Sequence, residues 1–148
     1  MIAIIMLLST VHNAFLQRMI VRAELDHLYA VCSMLQRSAM MFHQSQTLSF
    51  DKEKHRYRYK QTEYCLPASV RFGTRAGVKG PPSAPDYVII NPITFKEDGI
   101  TFTPDGIIQP GAVYLTDHAK QCTYALSCAI AHVSHLRKYQ YTDTWHNI

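Results

Sequence analysis

The sequence predicts an α+β fold, a long N-terminal α-helix packed on an antiparallel β-sheet domain. Three observations carry this. No proline or glycine occurs before Pro67, so nothing in the first third of the chain interrupts a helix. Leu25, Leu28, Cys32, Leu35, Ala39 and Phe42 follow one another at spacings of 3, 4, 3, 4 and 3, which keeps them on one helical face. Beyond Gln46 the pattern changes to period two, with turn residues between short apolar runs. One helix followed by consecutive strands is an α+β order, and the striped face is the surface to be buried on the sheet.

The helix is predicted from about Ile2 to about Gln44, a rod of roughly 60 Å, longer than a small domain is wide. Its start, Ile2 to Leu8, is continuously apolar, and the first formal charge is Arg18. The apolar run falls short of the about 20 residues a spanning helix needs. It also lacks the basic start and small-residue cleavage site of a signal peptide. Residues 1–20 are therefore read as a partial transmembrane or filament-packing helix, with Ile2, Ile4, Ile5, Leu7 and Leu8 as the packing side chains. A break near Ser9 to Asn13 is the alternative. Residues 21–46 form the amphipathic helix, with Arg22, Glu24, Asp26, Gln36 and Arg37 opposite the stripe, and residues 47–148 the β-rich domain. The stripe itself fits the core of that domain or a short coiled-coil seam.

Strands follow in order. Thr47-Leu-Ser-Phe50 and His55-Arg-Tyr-Arg-Tyr59 flank a charged turn and read as a hairpin. Ala68 to Phe72 is a short strand, the Gly- and Pro-rich stretch from Gly73 to Asp86 a loop, and Tyr87-Val-Ile-Ile90 a further strand. Ile100-Thr-Phe102 runs into Pro104-Asp-Gly106, where Pro presets φ and Gly accepts a positive φ. Gly111 to Leu115, Tyr124 to Ile130 and Leu136 to Tyr141 complete the sheet.

The 148 residues suit one domain, and 47% apolar with 18% charged content places the chain among folded proteins. The net charge of +4 is unevenly spread. Lys52 to Lys79 holds eight basic residues against two acids, whereas Pro81 to Ala119 holds one against five. Opposite local charges suit head-to-tail contacts or an anionic partner.

The chain carries no Gly-x-Ser-x-Gly, no His-Glu-x-x-His, no phosphate-cradling glycine loop and no paired-carboxylate motif, so an enzyme is not expected. No cofactor, metal or small-molecule substrate is expected either. His132 and His135 lie on opposite faces of an extended segment, and the four cysteines fit no zinc spacing. Cys122 and Cys128 are a candidate disulfide across a hairpin. The alternation of Arg56, Arg58 and Lys60 with Tyr57 and Tyr59 puts three cations on one face. With Arg137 and Lys138 they form a candidate anion or DNA contact.

Together these segments resemble the minor pseudopilins of type II secretion systems, H type (GspH/FimT-like). Ile2-Ala-Ile-Ile5 is similar to the middle of the pilin transmembrane helix. Leu28 to Phe50 is similar to the family's helix-to-strand passage, and Cys65-Leu-Pro-Ala-Ser-Val-Arg-Phe72 to its Leu-Pro-x-x-Val strand. Ile100 to Gly106 followed by Gly111-Ala-Val-Tyr-Leu115 matches its order of Phe strand, Gly turn and Gly-x-Val-x-Leu strand. Leu136 to Tyr141 with Trp145 matches the character of its end.

The resemblance implies a non-enzymatic structural subunit of a secretion pseudopilus or type IV pilus-like filament, near its tip, contributing to protein secretion. It implies a single-pass inner-membrane anchor, a periplasmic globular domain and other pseudopilins as partners. The family's processing site, with its Glu, has no counterpart here, so about eight to ten further residues are expected upstream. Of a Gly-Arg-x-Arg stretch found in some relatives, Arg137 survives among Ser134, His135 and Leu136. A DNA-binding minor pilin of an uptake pilus is the second reading, and a free-standing domain with its apolar end docked on its own sheet the third.

Overall fold

A computed structural model describes residues 2–129 and 134–148. The side chains of Ile2 and Ile5, the end of the expected strand at Ile130, and His132 lie outside the described residues. Helix α1 runs unbroken over Ile2–Phe42, with no break at Ser9 to Asn13. It ends without a glycine: His43 takes the left-handed φ of 52°, and the Gln44 N–H donates to the Ala39 carbonyl at 3.2 Å. That six-residue closure caps the free carbonyls of the last turn.

Among the described residues nine strands make two antiparallel sheets rather than the single sheet expected. The first has the order β3-β2-β1-β5, from β1 Gln46–Asp51, β2 Arg56–Tyr59, β3 Thr62–Cys65 and β5 Gly99–Phe102. The second has the order β4-β6-β7-β8-β9, from β4 Val70–Phe72, β6 Gly111–Asp117, β7 Thr123–Cys128, β8 Arg137–Tyr141 and β9 Trp145–Asn147. The break falls at Leu66-Pro67, where proline removes a ladder donor, so β4 leaves β3 and pairs with β6, Val70 opposite Asp117.

Helix α1 touches β1 and β5 of one sheet and β4, β6 and β7 of the other. Its stripe fills the space between them. Leu25, Leu28, Cys32, Leu35 and Ala39 are each 0–1% exposed, and they share one core with Leu48, Phe102, Val113 and Leu126. The β6 strand alternates: Val113 and Leu115 face this core, while Ala112 and Tyr114 join Ala125 in a second cluster on the far face. Gly111 opens β6 because a Cβ there would lie 2.5 Å from the Phe95 ring. At the turn before it, Gly106 takes a φ of +78°.

Three expectations are corrected. Phe42 is 64% exposed: it falls on the right face, but the chain reverses at His43 and leaves the last turn beyond the layer it packs on. Tyr87 to Ile90 is no strand. Prolines on both sides confine it to one bridge, Lys79 to Val88, and Ile90 is 94% exposed. Cys122 and Cys128 are free thiols, as are Cys32 and Cys65. Cys122 precedes β7 and Cys128 ends it, so they are separated along one strand by roughly 20 Å, far beyond disulfide reach.

Candidate functional site

The proximal part of α1 is a rod of exposed apolar side chains. Ile4, Leu7 and Leu8 are 63–68% exposed, and Met6, Val11 and Phe15 continue the surface. Ile4, Leu7, Leu8, Val11 and Phe15 fall on one side of the helix and Met6 on the other, and all stand exposed rather than docked on the chain's own sheets. Its two hydroxyl residues do not hold it in water. Ser9 Oγ donates to the Met6 carbonyl at 2.8 Å and Thr10 Oγ1 to the Leu7 carbonyl at 2.9 Å. Such back-bonding satisfies a hydroxyl without solvent. Among the described residues, no helix is long and apolar enough to cross a membrane.

The helix is anchored from Ala14 onward. Val21 is fully buried, and farther along Gln36 Nε2 donates to the Gly106 carbonyl at 2.8 Å and to the Ser134 carbonyl at 3.1 Å. Reading Gln36 as part of the solvent face missed this brace, because its partners are 70 and 98 residues away.

The five cationic candidates do not form one surface, since β2 and β8 belong to different sheets. Arg56 lies between two carboxylates, Nε 3.3 Å from Asp51 Oδ2 and Nη1 2.9 Å from Glu63 Oε1. The Lys54 amide first, and then Arg56, hold the Asp51 carboxyl below its ordinary value despite partial desolvation. Arg58 sits opposite Glu63 in the ladder, and the Lys60 ammonium rests 5.2 Å from the centre of the Tyr59 ring. Lys138 Nζ is 2.6 Å from Asp26 Oδ1 and 5.2 Å from the Tyr29 ring centre. Arg137 Nε donates to His135 Nε2 at 2.7 Å. Arg56 and Lys138 thus already hold carboxylates, which weakens them as phosphate contacts.

Beneath the Arg56 strand, Tyr57 is 1% exposed. It bonds His27 Nδ1 at 2.8 Å and stacks on Tyr64 at 5.1 Å between ring centres. Burial, and then the charge of Glu24, push its hydroxyl pKa upward, so it remains neutral. Among the described residues, no three His, Cys, Asp or Glu side chains gather as a metal site. A trio that sequence reasoning did not single out, Arg75, Lys79 and Lys120, lines a groove beside Val88 and Ile89. Lys120 follows the acidic stretch, far along the chain from Arg75 and Lys79, so no local charge run linked it to the others.

A helix that packs on antiparallel sheets from Ala14 onward, and whose first turns stand clear of them as an apolar rod, has a pilin-like architecture. Among solved structures, the minor pseudopilin EpsH from the type 2 secretion system of Vibrio cholerae matches with a TM-score of 0.55 at 10% identity. The match covers 78% of this chain and 94% of that one. No protein-family model and no curated protein matches the sequence. The chain therefore has the fold of a minor pseudopilin.

Proposed function

We propose that the chain is a non-enzymatic minor pseudopilin. It is a structural subunit of a type II secretion pseudopilus or a related type IV pilus-like filament, near the tip, contributing to protein secretion. The observation that carries this reading is the exposed apolar rod of α1 on an otherwise well-packed domain. Fully burying a Leu, Ile or Phe side chain is worth about 1.5–3 kcal/mol, so a rod with Ile4, Leu7, Leu8 and Phe15 exposed gains strongly from covering. Neighbouring helices cover it in a filament, and the inner membrane covers it before assembly. The globular part then lies in the periplasm and meets other pseudopilins through its sheets and loops. The fold shared with a solved minor pseudopilin supports the same reading. A DNA-binding role is less favoured, because Arg56 and Lys138 are held by carboxylates.

The test is a charge on the rod. Leu7 is 68% exposed and lies outside the core, so Leu7→Asp is expected to leave the thermal midpoint unchanged. It is expected to remove the protein from the membrane fraction and from cross-links to neighbouring pilins. Fractionation and cross-linking identical to the unaltered chain would overturn the reading.

A further inference from the structure

The groove beside Val88 lies on the far side of the second sheet from α1. The segment from Gly73 to Ile93 covers that face, and Ile89 packs with Trp145 on the Ala112, Tyr114 and Ala125 cluster. The groove encloses about 300 Å³, and its walls include Val78, Val88 and Ile89, with Arg75, Lys79 and Lys120 at the rim.

Each cation is held by its backbone or its stem. The Arg75 amide donates to Thr123 Oγ1 at 2.8 Å and its Nη2 to the Thr142 carbonyl at 2.9 Å, while the guanidinium lies 5.6 Å from the Tyr141 ring centre. The Lys79 carbonyl accepts from Trp145 Nε1 at 2.7 Å. Lys120 sits at a left-handed φ of 54°, its N–H bonded to the Asp117 carbonyl at 2.9 Å.

The groove lining contains no carboxylate, and among the described residues no ion pair is made by Arg75, Lys79 or Lys120. Lys52, Arg56 and Lys138 each hold an acid by contrast. Three like charges around an aliphatic groove repel one another, and an anion placed among them relieves that repulsion. The aliphatic walls add a second demand. Val88 remains 71% exposed beside the cations, a surface that gains from contact with an apolar side chain.

We propose that this groove binds an acidic, aliphatic-flanked segment of a neighbouring protein subunit, Asp or Glu meeting the cations and Leu, Ile or Val meeting the walls. That the segment belongs to a fellow filament subunit rests on the assembly reading above. Nucleic acid is the poorer fit. Single-strand readers set aromatic faces beside their cations for base stacking, whereas the groove lining holds no aromatic side chain and Arg75 occupies the Tyr141 ring.

The experiment is a titration of the full chain, isotope-labelled and held in nonionic detergent, followed by amide NMR. The probes are acetyl-Leu-Asp-Leu-Glu-Leu-amide, its Asn/Gln counterpart and a short single-stranded DNA oligonucleotide. The acidic peptide is expected to shift the amides of Gly77, Val88, Ile89 and Lys120, and the Asn/Gln peptide is not. Joint Lys79→Ala and Lys120→Ala substitution is expected to weaken the acidic peptide about tenfold or more, while joint Arg58→Ala and Lys60→Ala substitution leaves it unchanged. An equal response to the Asn/Gln peptide, unaltered affinity in the Lys79 and Lys120 variant, or tighter binding of the oligonucleotide at the same amides would overturn the proposal. Loss of the peptide response with cross-linking to pilins intact sinks the groove alone. Wild-type membrane association of Leu7→Asp with the peptide response intact sinks the assembly reading alone.

Discussion

Asp117, at the end of β6, keeps a carboxylate that is 1% exposed. Burial pushes its pKa up. The Cys122 and Gln121 amides, donating to Oδ1 at 2.9 and 2.7 Å, and the Cys122 thiol at 3.3 Å, outweigh burial and hold the carboxyl below its ordinary value. In return, burial first, and then the Asp117 charge, push the Cys122 thiol up to about 12. Because the Asp117 pKa is depressed by folding, its ionised form contributes stability above the unfolded value of about 3.9, and that contribution is lost as the pH falls through the lower folded value. Asp117→Ala also strands the buried Cys122 amide and the part-buried Gln121 amide. It is expected to cost about 1–3 kcal/mol at pH 7. Urea midpoints measured against pH should show the unaltered chain falling more steeply than the variant below about pH 4, so that the gap between them closes in acid.

At the scale of elements, α1 makes a sharp contrast along a single stripe. Leu28 is fully buried between the sheets and Phe42 is 64% exposed, although both lie on the same stripe. Leu28→Ala is expected to cost about 2–5 kcal/mol by leaving a cavity, and Phe42→Ala to stay within about 0.5 kcal/mol, as equilibrium urea unfolding will show. The stripe was legible because helical burial follows local spacing, whereas the place where the sheet ends is a property of the whole fold. The same division runs through the strands. β1, β6 and β7 announced themselves by apolar residues and turn signals. β3 and β9 did not, since Thr62-Glu-Tyr-Cys65 is mostly exposed at a sheet edge and Trp145-His-Asn147 is three residues long. The apolar rod was legible as an uninterrupted run, Ile4, Leu7 and Leu8 included. The carboxylate on Lys138 was not: Asp26 is 112 residues away, and no local pattern connects them. Nor was the convergence of Arg75, Lys79 and Lys120, which a loop and a hairpin turn bring to one groove.

For the molecule as a whole, α1 serves two ends that a truncation series separates. The two sheets are covered between them by the distal half of the helix, whose side chains reach β1 and β5 on one side and β4, β6 and β7 on the other. The first three turns supply little to that core, since Ile4 to Val11 remain mostly exposed wherever their side chains are described. A chain beginning at Ala14 keeps Val21, Leu25 and Leu28, all fully buried, and is expected to melt within a few degrees of the full chain while losing membrane association. A chain beginning at Tyr29 lacks those three aliphatic side chains, worth together about 5–9 kcal/mol at about 1.5–3 kcal/mol each. A domain's whole stability is about 5–15 kcal/mol, so this second truncation is expected to leave no cooperative transition in a thermal melt. If it folded as well as the first, the sheets would be self-sufficient, and α1 would be a tether rather than the layer that joins them.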